Sequence, residues 1–385
     1  MVLIAITIYL IAIPLLITLL NRKSSIFKKI GAIPILYLLG IGFHQIVPFD
    51  HYISTQPLYD FEEKISGITL LLAIPLLLFS INIKEELRQN KNILTSLLIA
   101  LVSLLLATIS GFFLFKEEVR DIAKTTGMLT GLYSGGTPNL AAIKSALNVN
   151  AAKMVLIVSY DFVIGAGLIL FFITGAKYIF RFFLPTPSTE QMSVEAHEDL
   201  EDETNIYDRD KWKEMAYAFL ISLFIVISSV AIGKLFSNTT GSIITILSAT
   251  SLSIIAGQIP RINKLKGSFA LGMLFILIFS FAIANMADFS SMQEIKNPAL
   301  FQLMAWVIGC YITTHFILAY LFQDEADKTM VSMVAFTYSP VMVPIVCVAL
   351  KNRKVLVYGI TFGLFGYLIG NYLGILIASL LSMVV

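Results

Sequence analysis

Two short stretches carry side chains whose types and spacing suit them to holding a small ligand. The first, GLYSGGTPNLAAIKSALN (131–148), places Ser134, Gly135, Gly136, Thr137 and Asn139 within six residues. The second, MVAFTYSPVMVPIVCVAL (333–350), places Thr337 and Ser339 beside Pro340 and Pro344. Proline removes a backbone donor and glycine weakens a helix, so each stretch is expected to unwind, the first around Ser134–Asn139. Unwound backbone frees amides and carbonyls, and at membrane depth it is tolerated only inside protein or along a wet cavity. Half-helix N-termini would hold an anionic group there, and freed carbonyls a cation. The half-helix after the first break is expected to begin at Leu140, with an anion resting against Thr137–Asn139.

One acid belongs with these stretches. Asp161 lies well inside MVLIVSYDFVIGAGLILFF (154–172), directly after the first break. A carboxylate in the hydrocarbon costs at least about 2.5–3.5 kcal/mol, so it is expected to work, as the group that couples transport to a proton or a cation. The other polar groups within apolar segments read as structural. Lys144 is expected to extend to the interface, His315 to be hydrogen bonded in its own span, and Asn371 to pack far from the break. Cys310 and Cys347 have no partner motif and read as buried free thiols.

These residues need a membrane scaffold, and composition supplies it. The 385 residues are 57% hydrophobic and 14% charged, against about 25% charged in soluble domains. A net charge of +2 argues neither for nucleic acid nor for an acidic partner. Apolar runs of spanning length occur at about 2–20, 28–48, 67–83, 93–115, 125–148, 151–180, 214–235, 241–258, 267–287, 297–322, 329–350 and 354–382. The fold class is therefore an all-α polytopic membrane protein of about 11–13 transmembrane segments. The N-terminus lacks a basic region and a cleavage site, so it reads as a retained span.

An acidic segment, 185–213, with nine carboxylates and two prolines, reads as a solvated hinge. It divides the chain into an N-terminal transmembrane repeat, 1–184, and a C-terminal one, 214–385. Basic loops at 21–29, 84–92 and 260–266 read as cytoplasmic, and acid-biased loops at 48–63 and 286–294 as external, which puts the N-terminus outside. The halves share a pattern: LLLFSINIKEEL ends the third apolar segment and LIFSFAIANMADFS the ninth. Inverted repeats need an odd number of crossings between the two, whereas this count gives six, so one segment is miscounted. In the last span, Gly359, Gly363, Gly366, Gly370 and Gly374 share one face, for an internal contact or a homodimer.

GMLTGLYSGGTPNLAAIKSAL, AIPLLLFSINIKEEL and LVYGITFGLFGYLIGNYLG resemble the YjcL-like membrane proteins, a bacterial domain-of-unknown-function family also seen in plant chloroplasts. The resemblance implies membership of the cation/proton antiporter and anion transporter superfamily, which includes glutamate/sodium symporters. It further implies two inverted repeats with crossing broken helices and an elevator-like motion. The second break departs from the family's Gly-Gly-Pro-x-Thr-Ala type and keeps only the proline.

Three functions fit. The first is a secondary transporter of a small, anionic organic solute (an amino acid, a dicarboxylate or a short acidic peptide) driven by sodium or protons across a bacterial inner membrane. No Walker A motif offers ATP drive, and no cofactor is expected beyond a sodium ion. The second is an intramembrane enzyme, for which a Ser134–His315 dyad is the available chemistry; HExxH and GxSxG motifs are missing, so the chain reads as no enzyme. The third is a receptor or scaffold, which would lack a soluble signalling domain.

Overall fold

The computed structural model describes residues 2–23, 32–46, 55–80, 93–186, 211–236, 238–286, 298–338, 342–350, 352 and 355–384. Most of the acidic hinge (187–210), Ser339 and most of the residues in the charged loops used for orientation lie outside the described residues. Every regular element among the described residues is helical. They are α1 (Val2–Lys23), α2 (Ala32–Ile46), α3 (Thr55–Leu78), α4 (Ile93–Phe115), α5 (Ile122–Gly135), α6 (Thr137–Ala146) and α7 (Ala151–Phe171). A π-helical turn, Phe172–Ala176, joins α7 to α8 (Lys177–Phe183). There follow α9 (Trp212–Gly233), α10 (Asn238–Gly257), α11 (Pro260–Asn263), α12 (Ser268–Asn285), α13 (Ala299–Leu321), α14 (Ala326–Thr337), α15 (Val343–Leu350) and α16 (Val355–Leu381).

Among the described residues, seven helical stretches are long and apolar enough to cross a bilayer: 93–115, 151–183, 212–233, 240–257, 268–285, 299–321 and 355–381. Their outer faces carry large apolar side chains in the open, Leu98 at 62% and Phe224 at 71% exposed among them. In water such a surface would aggregate; in lipid it is the solvent-matched face. The protein is an all-α polytopic membrane protein.

The chain forms two compact units, each assembled from both halves of the sequence. The first comprises 1–80, 148–159 and 203–295, and the second 81–147, 160–202 and 296–385. In the first unit α12 is the central helix and packs on α1, α2 and α3. Small residues permit close approach: a methyl at Gly272 would press on Leu76 and Leu77. Because Gly272 begins α12 and Leu77 ends α3, the two helices run antiparallel. Ser222 of α9 donates to the Leu72 carbonyl at 2.9 Å, fastening α9 to the same helix.

In the second unit α16 is the central helix and packs on α5, α6, α14 and α15. Both interrupted segments fold back on themselves. In a straight helix, Gly131 and Ile143 would stand about 18 Å apart at about 1.5 Å per residue. Here the Ile143 side chain covers Gly131, and Ile143 and Gly127 both press on Gly374. Asn352 likewise donates to Asp327 at 2.8 Å across 25 residues, where straight helix would separate them by about 37 Å. So α5–α6 and α14–α15 are helical hairpins. The expectation of broken helices that cross is corrected on this point, because the chain turns at each break instead of continuing through it.

The cysteines are free; Cys347 is buried and Cys310 half-buried, its sulfur 3.9 Å from the Ser110 hydroxyl. Lys144 is 7% exposed and buried, which corrects its expected reach to the interface.

Candidate functional site

The glycine face of α16 is the seat of both hairpins. At its C-terminal end Gly127 of α5 faces Ala378, and Gly374 takes Ile143. Near its N-terminal end Gly359 receives Val331 of α14 and Val343 of α15. Between them, Gly366 touches the Ser134 carbonyl on one side, with the Phe336 ring 3.5 Å from a methyl placed there. The hairpins therefore enter from opposite ends of α16, and their tips meet near its middle.

The first tip is a single residue wide. Gly136 adopts φ 74° and ψ −161°, a left-handed conformation that disfavours side chains. Its N–H still closes α5 on the Leu132 carbonyl at 2.7 Å, and its carbonyl accepts from Leu140 at 3.2 Å to open α6. The half-helix thus starts at Thr137 and not at Leu140, and the unwinding is narrower than expected from Ser134–Asn139. Pro138 has no N–H to satisfy and fits the first turn of a helix. The amides of Thr137 and Asn139 precede the first intrahelical bond and carry the positive end of the α6 dipole.

The expected ligand side chains at this tip are partly committed to packing. Ser134 is fully buried and donates back to the Gly131 carbonyl at 3.2 Å. Asn139, 3% exposed, donates from Nδ2 to the Gly366 carbonyl at 3.0 Å. Gly135 and Gly136 leave room for the turn; a methyl at Gly135 would strike the Asn139 amide. Thr137 is half-buried at the tip. Asn371 is not distant: it is buried beside Gly370, where a methyl would collide with Asn139 and press on Ser134.

The second tip holds Thr337 and Tyr338. Thr337 donates back to the Met333 carbonyl at 2.8 Å, as threonines in membrane helices do. Tyr338 leaves the helix and donates across to the Gly165 carbonyl of α7 at 2.7 Å. Ser339 lies outside the described residues.

Asp161 comes between the two tips. It stands one helical turn before Gly165, on the same face of α7, and is half-buried. Its carboxylate interacts electrostatically with both Tyr133, three residues before Gly136, and Tyr338. Tyr133 is 1% exposed. Each hairpin therefore brings a tyrosine within electrostatic reach of one acid. The sequence reading named Asp161 but missed both phenols. Their positions next to the Gly and Pro interruptions were the available signal.

His315 is fully buried and its Nδ1 pairs with the Tyr311 hydroxyl at 3.0 Å, the structural arrangement expected. Two other acids lie deeper than Asp161, however. Asp327 is fully buried and Glu62 is 4% exposed. Sequence hid them because both lie in charged flanks, at the starts of α14 and α3. Arg181 clamps Asp327 through Nε at 2.9 Å and Nη2 at 2.8 Å, and Nη2 also reaches the Leu350 carbonyl at 3.0 Å. That clamp closes the base of the second hairpin. No group of His, Cys, Asp and Glu suited to a transition metal occurs among the described residues.

Comparison with known proteins agrees with the sequence resemblance. Residues 7–384 match the family described as "Protein of unknown function (DUF819)". The chain is similar to the "Uncharacterized membrane protein YjcL" of Bacillus subtilis (strain 168), at 27% identity over 333 residues, 83% of this chain and 82% of that one. With a match that runs almost end to end, the chain belongs to the DUF819 family of membrane proteins.

Proposed function

We propose that this protein is a secondary active transporter of a small organic anion, such as an amino acid, a dicarboxylate or a short acidic peptide, in a bacterial cytoplasmic membrane. One observation carries the reading: two hairpins point tip to tip along α16, with Tyr133 and Tyr338 within electrostatic reach of Asp161. Paired breaks at corresponding positions are the sequence and structural mark of a transporter's central site. The N-terminus of α6 at Thr137 offers unpaired amides and a positive dipole end to a carboxylate. Asp161 is the coupling group, for a sodium ion or a proton.

The hairpins also favour inverted repeats. A hairpin that returns to its own side adds no crossing, so on this reading the segment 125–148 drops out of the count. Between α3 and α12 there are then five steps, through α4, α7–α8, α9, α10 and α12. Five is odd, and the antiparallel packing of α3 on α12 agrees with it. Each repeat would supply five crossings and one hairpin, and each compact unit draws on both repeats.

An enzymatic reading has less support. The Ser134 hydroxyl donates to Gly131 and the His315 imidazole pairs with Tyr311, so neither activates the other. The deciding experiment is uptake by proteoliposomes of a panel of labelled amino acids, dicarboxylates and acidic peptides, with a sodium gradient, a pH gradient or neither. Gradient-dependent accumulation of an anion supports the proposal. Equal signals in protein-free vesicles throughout the panel would overturn it.

A further inference from the structure

The first unit buries an acid that transport through the hairpins does not use. Glu62 of α3 lies five residues before the apolar run 67–83 and is 4% exposed. One turn away on either side, Leu58 and Ile65 of the same helix belong to an apolar cluster with Ile6 and Leu10 of α1, Leu36 of α2, and Leu277 and Phe281 of α12. Gly40 brings the backbone of α2 against Ala284, so close that a methyl there would collide with the Ala284 side chain.

Two polar side chains share the cluster. Tyr9 of α1 donates to Asn285 Oδ1 at 3.0 Å, and Asn285 donates from Nδ2 to the Phe281 carbonyl at 2.9 Å. Phe43 and Phe281 flank the Tyr9 ring, with centroids at 5.5 Å and 5.1 Å. Tyr9 also feels the charge of Glu62. Glu62 itself has no ion pair or hydrogen bond among the described residues.

Among the described residues, no cation pairs with Glu62. Among the described side chains of α1 and α2, Tyr9 and the buried Tyr37 bear no positive charge, α12 and α10 contain no ionisable residue, and the buried Lys153 of α7, in the same unit, makes no ion pair with Glu62. On α3, Asp60, Glu63 and Lys64 are exposed and Tyr59 half-buried, and two of these are further acids. Lys211, Lys213 and Glu214 at the start of α9 belong to the other end of α3: Glu214 accepts from the Lys266 amide, which precedes the start of α12. A carboxylate taken from water without a partner costs several kcal/mol, and the usual escape is to keep the proton.

We propose that Glu62, with Tyr9 and Asn285, forms a proton-binding site in the first unit, neutral at physiological pH and opened by alkali. Burial alone pushes the Glu62 carboxyl up to about 8, in accord with this geometry. The sign follows. Between the ordinary carboxyl value of about 4.3 and this raised one the folded protein holds a proton that the unfolded chain has released. Stability is therefore full at acid pH, declines through that interval, and levels off above it. The site belongs to the first unit, Asp161 to the second, and the proposal does not rest on the transport reading.

Two measurements on the purified full-length protein in detergent test the proposal. The first is infrared spectroscopy of wild-type protein carrying isotope-labelled glutamate. At about pH 7 it should show the C=O stretch of one protonated glutamic acid, which disappears as the pH is raised to about 9. A labelled sample with no protonated band at about pH 7 would overturn the proposal, and no variant has to fold for this. The second is thermal unfolding between about pH 5 and about pH 9. The Tm of wild type should fall over this range, while Glu62→Gln removes most of the fall and unfolds at a higher temperature than wild type at the alkaline end. An equal pH slope in Glu62→Gln and wild type would sink the idea.

Discussion

Asn352 donates a hydrogen bond to Asp327 at 2.8 Å although 25 residues separate them. That bond makes the second interrupted segment a hairpin, and Arg181 locks it by gripping Asp327 and the Leu350 carbonyl together. Fully buried Asp327 without Arg181 would be an uncompensated charge. Arg181→Gln should therefore cost about 3 kcal/mol, the low end for a broken buried pair, because Arg181 is 35% exposed. Unfolding of Arg181→Gln, Asp327→Asn and the double variant checks it; the double should cost clearly less than the two singles added.

The hairpin has a topological consequence. Gln323 is exposed before α14, and Asn352 follows α15. In a background with Cys310 and Cys347 replaced by serine, Gln323→Cys and Asn352→Cys should both react with an impermeant thiol reagent from the same side of intact cells or sealed vesicles. Labelling from opposite sides would restore a crossing helix.

Gly366 is the point where both tips touch α16. A methyl there would collide with the Ser134 carbonyl, a backbone atom with no side chain to yield. Gly366→Ala should destabilise by about 1–3 kcal/mol or more and reduce transport. Gly309→Ala on α13, where nothing lies within 4 Å, should change stability by no more than about 0.5 kcal/mol. Thermal unfolding of the two variants side by side separates helix packing from a general intolerance of alanine.

Asn139 is committed to Gly366. Asn139→Ala should leave that buried carbonyl without its donor and cost about 1–3 kcal/mol of stability. Its effect on transport should appear in the maximal rate more than in apparent affinity. Thr137→Ala, at the half-buried start of α6, should reverse that balance. Concentration dependence of uptake for the two variants decides between them, and Asn371 does not serve as a distant control.

Asp161→Asn should abolish gradient-driven accumulation while the protein still reaches the membrane and unfolds at nearly the wild-type temperature. Tyr133→Phe should retain accumulation but change its dependence on external pH or sodium, since the phenol adjoins the carboxylate without being the coupling group. Unaltered ion dependence in Asp161→Asn would move the coupling role elsewhere.

The membrane class, the two interruptions and the isolation of Asp161 were legible in the sequence. Each rests on local chemistry: hydropathy over one helix length, proline and glycine in a run, one acid among aliphatics. Gly136, Pro138 and Pro340 mark where a helix must stop whatever surrounds it. The direction the chain takes afterwards was not legible, because a break permits a crossing and a hairpin equally. Contacts between residues far apart in sequence decided it, Ile143 on Gly131 and Asn352 on Asp327. The same holds for Asn139, whose side chain reads as a ligand group until the Gly366 carbonyl is brought to it. Glu62 and Asp327 looked solvated because their sequence neighbours are charged; only the packing of α1, α2 and α12 around one, and of Arg181 and Asn352 around the other, takes them out of water. Sequence fixes which groups a segment carries and where its helix fails, since these depend on a few adjacent residues; burial, partners and the sense of each turn depend on helices brought together from both ends of the chain.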